Sequence, residues 1–333
     1  MDYINYVKQS PMMGVIGYGG GATSLGRYSS GGGSGMNNFG TRGVFATGWN
    51  SNPGEIQQMG YQTISTTGNF SDFGDMQWGH RAGGCVSNTT RMVIGGGYSE
   101  VNADGDSMQN VIEYITVANT GNTTNFGDLT VRRYALSACG DGLRGCWGDG
   151  QSNSGYSKVI DYITIATTGD ASDFGDTTDG QRAIWACADD TRGLFGGGNC
   201  SCDRIEYITI NTTGNASDFG NMYQNGNGYQ AASTGVEMTR GVYANGYDGS
   251  NNHTNHMGYV TIATTGNALD FGDMSMTTQG VGACTNDTRM LVGGGYNQNP
   301  VGYITVANTG NGTDFGDLDV DRWYTAASSG NTS

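Results

Sequence analysis

Two kinds of charged residue recur in this 333-residue chain at regular intervals and could support chemistry. An arginine opens an apolar run six times, at Arg42, Arg91, Arg144, Arg192, Arg240 and Arg289. A Phe-Gly-Asp phrase recurs with a second acidic residue before it, giving the pairs Asp72 and Asp75, Asp173 and Asp176, Asp270 and Asp273, and Asp314 and Asp317. Guanidinium groups bind carboxylates and phosphates, and carboxylate oxygens bind calcium. An arginine ring and a set of weak calcium sites are therefore the first possibilities.

A scaffold role explains both sets more simply, because a residue that recurs in every copy of a repeat is usually part of its architecture. An aspartate in a turn commonly accepts hydrogen bonds from nearby main-chain amides. The repeated arginines are then expected to pair with the repeated aspartates of a neighbouring copy. The sequence predicts structural roles for these residues, with no metal site and no cofactor.

The sequence offers little support for an enzyme. The three histidines are His80, His253 and His256, and the last two lack the neighbouring glutamate of a metalloprotease helix. Nothing marks a nucleophile with its base. Paired carboxylates for glycoside hydrolysis would have to come from one loop, with Glu100, Asp104 and Asp106. The prediction is a protein with no catalytic residues.

One longer phrase indicates how these residues are positioned. A Tyr-Ile-Thr-Ile strand followed by Thr-Thr-Gly-Asn and Phe-Gly-Asp occurs six times with small changes, beginning at Tyr61, Tyr114, Tyr162, Tyr207, Tyr259 and Tyr303. The starts lie 44 to 53 residues apart, which is the length of a four-stranded propeller blade. Each period contains a small-residue strand, the arginine strand, the tyrosine strand and the Phe-Gly-Asp strand. The fold class predicted is all-β, a six-bladed β-propeller.

The two ends of the chain predict how the ring closes. The segment after Arg322 repeats the small-residue strand, and no arginine strand follows it. The first blade lacks that strand, so the C-terminal strand is expected to complete it and to cover two sheet edges. Strand-like patterns near Met1 and Arg27 keep a seven-bladed ring as an alternative. Residues 1–36 are predicted to form a glycine-rich arm, and residues 37–333 the propeller.

Composition excludes several classes of partner. The formal charge of −15 argues against binding to nucleic acid or to an anionic membrane. The first residues lack a basic start and a sustained apolar stretch, so neither a signal peptide nor membrane insertion is expected. Four cysteines, Cys85, Cys139, Cys187 and Cys284, occupy similar positions in small-residue strands and are predicted to be buried thiols. Cys200 and Cys202 lack the second pair that a zinc site needs.

The connections between the arginine and tyrosine strands differ from blade to blade, whereas the connections on the opposite face are nearly invariant. This contrast is typical of a scaffold that presents a binding surface. The aromatic residues in the variable connections are the candidate receptor-binding residues, namely Trp49, Tyr98, Tyr156, Tyr247 and Tyr296. Together with neighbouring Asn and Ser side chains they could stack on sugars or contact a protein.

The combination of Thr-Arg-Gly-Val-Phe, Tyr-Ile-Thr-Ile and Thr-Thr-Gly-Asn-Ala-Ser-Asp-Phe-Gly-Asp resembles Kelch-like repeat virion structural proteins of tailed phages, especially marine and cyanobacterial ones. The resemblance covers about residues 41–330, and the glycine-rich segment before it also resembles the leader of such proteins. Leu143 and Asn221 depart from the repeat without affecting any functional residue.

The resemblance implies a virion component assembled in the host cytoplasm, such as a tail fibre or a capsid decoration. Residues 1–36 would dock onto other virion proteins, and the variable loops would contact a host-surface glycan or protein. The resemblance transfers no catalytic residues. Two alternatives remain open, a phage-borne glycan-processing hydrolase and a free lectin-like module.

Overall fold

The computed structural model describes residues 40–51, 54–100, 106–199, 203–223, 226–228, 231–235, 239–248, 250 and 252–332. These residues form strands and connections without any helix, and so contain no helix able to cross a membrane. Six four-stranded antiparallel sheets form the blades of a β-propeller. The six-bladed prediction is confirmed, and the seven-bladed alternative is wrong. The predicted arm, residues 1–36, lies outside the described residues.

Within each blade the strands are named here from the innermost to the outermost. Blade 1 contains β28 (Ala326–Gly330), β1 (Arg42–Ala46), β2 (Gln58–Thr63) and β3 (Ser71–Asp75). Blade 2 contains β4 (Gly84–Ser87), β5 (Arg91–Tyr98), β6 (Met108–Thr116) and β7 (Thr124–Asp128). Blade 3 contains β8 (Ser137–Gly140), β9 (Arg144–Gly148), β12 (Val159–Thr164) and β13 (Ser172–Asp176).

Blade 4 contains β14 (Ile184–Ala188), β15 (Arg192–Gly197), β16 (Arg204–Thr209) and β17 (Ser217–Asn221). Blade 5 contains β19 (Ala231–Gly235), β20 (Arg240–Ala244), β22 (Thr254–Thr261) and β23 (Leu269–Thr278). Blade 6 contains β24 (Val281–Thr285), β25 (Arg289–Gly294), β26 (Pro300–Thr305) and β27 (Thr313–Asp317). Two short pairs lie in the connections, namely β10 (Gln151–Ser152) with β11 (Gly155–Tyr156), and β18 (Gly226–Asn227) with β21 (Tyr247–Asp248).

The ring closes as predicted, because the C-terminal strand β28 pairs antiparallel with β1. Side chains reinforce this closure on both sides of β28. Ser328 Oγ lies 2.6 Å from Ser87 Oγ of blade 2. Thr325 Oγ1 donates to the Ala46 carbonyl at 2.8 Å. The first blade therefore depends on residues from both ends of the sequence.

The hydrophobic core consists of six clusters, each between two neighbouring blades. The second strands are buried along most of their length, as Met92, Val93 and Ile94 illustrate. Because every sheet is covered on both faces, these strands read as continuous apolar runs rather than alternating ones. Each buried side chain of this size contributes about 1.5–3 kcal/mol to folding.

The innermost strands surround a narrow central channel with a volume of about 90 Å³, lined by Ala, Gly and other small residues. Space of this size holds several water molecules but not a drug-sized ligand. Cys139, Cys187 and Cys284 are buried as predicted. The similar placement predicted for Cys85 is wrong, since its register shifts by one residue and Val86 takes the buried position. Cys85 lines the channel instead.

The repeated phrase forms the contact between neighbouring blades at the outer rim, which we call the rim seam. In the seam of blades 1 and 2, the Gly121 and Thr123 amides donate to the Phe73 and Asp75 carbonyls at 2.7 and 2.9 Å. The Asp75 amide donates to Asn122 Oδ1 at 3.0 Å. The same three hydrogen bonds recur at the other five seams. Asn122 is replaced by Asp170 in one of them.

Glycine is required at the rim seam because two main chains meet there. Gly74 has a φ of +136° and faces Gly121, so a Cβ at Gly74 would lie 2.5 Å from the Gly121 carbonyl carbon. The positive φ and the close approach both exclude larger residues. Equivalent glycine pairs occur at the other seams.

The Phe-Gly-Asp phrase forms part of each outermost strand, where Phe73 is the extra residue of a β-bulge. Asp72 Oδ1 accepts a hydrogen bond from the Gly74 amide at 3.0 Å. Asp173 and Asp270 accept the equivalent hydrogen bond in their own blades. The predicted local capping role is confirmed for these three aspartates.

The predicted pairing of the repeated arginines with the repeated aspartates is wrong. Arg91 Nη1 donates at 2.9 Å to the Ile165 carbonyl in the next blade, and its guanidinium lies 4.2 Å from the ring centroid of Tyr114 in its own blade. The other five arginines make the same two contacts. The aspartates lie on the outer strands, whereas each arginine lies at the start of a second strand, beside the end of the neighbouring third strand. The arginines therefore join blades through carbonyl groups and aromatic rings.

Candidate functional site

The connections between second and third strands emerge on the same face as those that lead from one blade to the next. We call this the variable face. Main-chain bridges join the two kinds of connection, for example between Trp49 and Trp323 and between Arg81 and Tyr98. The bases of the variable loops are therefore fixed by neighbouring main chain.

Three of the five predicted aromatic residues, Tyr247, Tyr296 and Trp49, belong to one chain of packed rings. Tyr247 contacts His253 at 5.3 Å between ring centroids, and His253 contacts Tyr296 at 5.8 Å. Tyr296 packs edge-to-face against Trp323 at 4.4 Å. Trp323 packs against Trp49 at 5.2 Å. Offset and edge-to-face pairs of this kind are favourable and hold one another in place.

Arginines continue the chain around the face. The Arg81 guanidinium lies 4.6 Å from the Tyr98 ring centroid and 5.8 Å from that of Trp49. Tyr98 packs against Tyr134 at 5.4 Å. This sequence of contacts spans blades 5, 6, 1, 2 and 3.

The last contacts bring in the fifth predicted residue. Arg182 Nη1 donates to the Tyr134 hydroxyl at 2.9 Å, and the Arg182 guanidinium lies 5.8 Å from the Tyr156 ring centroid. We call the complete set the aromatic belt, consisting of Tyr247, His253, Tyr296, Trp323, Trp49, Arg81, Tyr98, Tyr134, Arg182 and Tyr156.

Half of the belt was not among the predicted residues. In the sequence, Arg81, Arg133, Arg182 and Arg322 look equivalent, because each precedes a small-residue strand. In each of these four connections, one residue before the small-residue strand has a positive φ. Arg81 and Arg182 immediately precede that residue, and the equivalent positions in the other two connections are Tyr134 and Trp323. Arg133 and Arg322 lie one residue earlier. The two sets differ in their distance along the chain from the residue with positive φ. That residue is Ala82, Ala135, Ala183 or Tyr324.

Arg133 and Arg322 form buried ion pairs beneath the variable face. Arg133 Nη2 lies 2.5 Å from Asp161 Oδ2, with both side chains fully buried. Arg322 Nη2 lies 3.0 Å from Asp319 Oδ1. Burial lowers the pKa of each arginine, and the paired carboxylates oppose that effect. These arginines also donate to main-chain carbonyls of their own blades, so their role is to position strands.

Three cations of the variable face, Arg81, Lys158 and Arg132, contact carboxylates. Arg81 contacts Glu55 at 2.9 Å and Glu100 at 3.2 Å. Lys158 contacts Asp179 at 3.8 Å. Arg132 contacts Asp106 at 4.0 Å. What the face presents to a ligand is therefore mainly aromatic and amide chemistry.

The histidines occupy three different environments. His80 is buried, which lowers its pKa to about 4, and its Nδ1 lies 3.0 Å from the Trp78 carbonyl oxygen. His253 belongs to the aromatic belt. His256 Nδ1 lies 2.9 Å from Asp273 Oδ1 at an exposed position. Among the residues that the structure describes, no three His, Cys, Asp or Glu side chains form a group that could hold a metal ion.

The chain matches no protein-family model and no curated protein. The geometry identifies an all-β propeller with a structurally uniform rim and a diverse, aromatic face. A rigid disc with one diverse face is suited to binding a partner.

Proposed function

We propose that this protein is a non-enzymatic virion structural protein of a tailed phage, a propeller appendage whose variable face recognises the host surface. The observation that carries the proposal is the aromatic belt, which joins residues of unrelated loops into one surface. Residues repeated in every blade are used for the seams and bulges, so their conservation of type has a structural explanation. The phage setting is supported by the resemblance of the repeat phrases.

The proposal includes the attachment of the propeller to the particle. Residues 1–36 dock onto other virion proteins, because a glycine-rich main chain can lie close against a partner's surface. The appendage is part of a tail fibre or decorates the capsid.

Attachment is tested with particles carrying a chain that lacks residues 1–36. Purified particles are expected to lose the propeller, measured by mass spectrometry, while the isolated variant keeps the circular dichroism spectrum of the full chain. Normal incorporation of the shortened chain would contradict the docking role. Absence of the full chain from wild-type particles would return the free lectin-like module to consideration.

Recognition is tested by replacing Trp49, Tyr98 and Tyr247 with alanine in one variant. Host adsorption of the particles is expected to fall, while incorporation of the propeller is unchanged. The matched control replaces Leu143, which is 42 % exposed in the turn between β8 and β9 on the opposite face. Equal adsorption by both variants would contradict the assignment of the variable face. Release of reducing sugar from host envelope material by the purified protein would favour the hydrolase.

A further inference from the structure

We propose that the ligand of the variable face is a neutral saccharide and that it stacks over Tyr296 and Trp323, where blades 6 and 1 meet. This inference rests on the proposed function, because it names the chemistry that the variable face recognises.

The position follows from exposure and packing. Tyr296 is 41 % exposed, more than any other belt residue except Tyr156. Its ring stands at 88° to that of Trp323, and Trp323 is held on its other side by Trp49. An exposed ring supported by partly buried neighbours needs little reordering when a ligand arrives, and such preorganisation favours binding. Among the described residues, no aromatic ring packs against Tyr156 in this way, and Tyr156 contacts Arg182 instead.

Charge argues against an anionic ligand. The cations Arg81, Arg132 and Lys158 already contact carboxylates, so an anionic ligand would have to displace those partners. The chain as a whole carries a charge of −15, which repels anions at long range.

The chemistry of the site fits a sugar ring. A pyranose presents C–H groups on one face, and the negative face of an aromatic ring attracts these weakly positive hydrogens. Its hydroxyl groups require side chains that both donate and accept hydrogen bonds at the edge of the ring. Asn297 is exposed directly beside Tyr296, and Asn50 and Ser51 follow Trp49. Amide and hydroxyl groups of this kind supply both functions.

The test measures intrinsic tryptophan fluorescence of the full chain during titration with saccharides. The neutral probes are hexamers of glucose and of N-acetylglucosamine, together with a neutral mannan, and the anionic probes are polygalacturonate and heparin. We expect saturable binding of at least one neutral probe and none of the anionic probes.

Two substitutions at one position separate ring stacking from the hydroxyl group. Tyr296→Ala is expected to weaken binding at least about tenfold, whereas Tyr296→Phe retains most of it. The control is Leu143→Ala, which removes an exposed apolar side chain from the opposite face and is expected to leave saccharide binding unchanged. Circular dichroism and the melting temperature check that each variant is folded.

The inference would be overturned if none of the neutral probes bound. Preferential binding of the anionic probes, or equal binding by wild type and Tyr296→Ala, would also overturn it. Adsorption measured on the same variants separates this failure from that of the proposed function. Reduced host adsorption by Tyr296→Ala particles without saccharide binding would indicate a protein receptor and leave the proposed function standing. Normal adsorption by both the Tyr296→Ala and the triple-alanine particles would contradict both.

Discussion

The rim and the variable face are built from the same four-stranded blade, but the contacts of the rim are uniform and those of the variable face differ between blades. At every rim seam the same three hydrogen bonds join the same kinds of residue, and main chain meets main chain at paired glycines. On the variable face, the contacts differ in each blade, from the edge-to-face tryptophans near blade 1 to the arginine contacts of blade 4. The comparison teaches that repetition maintains the ring, and that this leaves the loops of one face free to differ.

The largest effect is expected from removal of the closing strand. A chain that ends at Thr325 lacks β28, so β1 loses its inner partner and two blade interfaces are exposed. We expect no cooperative thermal transition by circular dichroism. The stabilising free energy lost with β28 is comparable to the whole stability of a typical domain, about 5–15 kcal/mol. A chain lacking only Thr332 and Ser333 is the control and should melt like the full chain. A cooperative melt of the shorter chain near the wild-type temperature would contradict the importance of closure.

The rim itself is tested by two glycines in one seam. Gly74→Ala introduces a methyl group against the Gly121 main chain, whereas a Cβ at Gly121 meets nothing within 4 Å. Both residues have positive φ, so both alanines add strain of about 1 kcal/mol or more. We expect Gly74→Ala to lower the free energy of unfolding by about 3 kcal/mol or more, and Gly121→Ala by clearly less. Equal losses in urea unfolding would show that strain, rather than the close approach, makes the rim uniform.

The blade repeat and the rim seam illustrate what the sequence could and could not predict. The period, the strand order and the closing strand follow from local patterns and were predicted correctly. The rim seam was not, because Asp75 and Asn122 are 47 residues apart and nothing within one repeat indicates that they meet. Their regular recurrence is visible only as a repeated phrase, which was interpreted as a local turn.

The errors at the candidate site have a different cause, which is a shift of one residue. Neighbouring residues of a strand point to opposite sides, so a one-residue error exchanges buried and exposed positions. Arg81 and Arg133 occupy positions one residue apart in their repeats, and so do Cys85 and Cys139. The loop aromatics were predicted because they lie in the connections that vary between blades, whereas their packing into a belt depends on the ring that places blade 6 beside blade 1.

A smaller effect is expected beneath the variable face, at a carboxyl group in blade 2. Glu113 is fully buried, and burial raises its pKa to about 7, an effect partly opposed by the nearby Thr123 hydroxyl and the main chain of Gln77 and Trp78. The folded chain therefore holds this proton more tightly than the unfolded chain, whose glutamate has an ordinary pKa of 4.5. The associated stability is fully present below about pH 4.5 and is lost as the pH rises through about 7.

Glu113→Gln mimics the protonated group at every pH. We expect it to match wild type near pH 4.5 and to exceed its free energy of unfolding by up to about 3 kcal/mol at pH 8. Glu55→Gln is the matched control, because Glu55 contacts Arg81 at 2.9 Å and loss of this ion pair should lower the free energy of unfolding at pH 8. If Glu113→Gln were less stable than wild type at pH 8, the interior under this face would be as closely optimised as the rim.

The smallest effect is expected at the edge of the belt. Tyr156 is 45 % exposed in a short hairpin, and its alanine variant should change the free energy of unfolding by less than about 0.5 kcal/mol. Chemical unfolding of the two proteins in parallel measures the difference. A loss above about 1 kcal/mol would mean that the variable face also supports the ring, and the contrast with the rim would weaken.

The rim seam also bears on how copies of this protein behave at high local concentration. The outward edge of a β-sheet exposes unpaired amides and carbonyls to which another chain can add, and proteins usually block such edges with charges or bulges. Here the carbonyls of Phe73 and Asp75, and their equivalents, already accept hydrogen bonds from the following blade. Exposed aspartates line the same edge. Neighbouring discs can therefore be crowded side by side without joining their sheets into fibres.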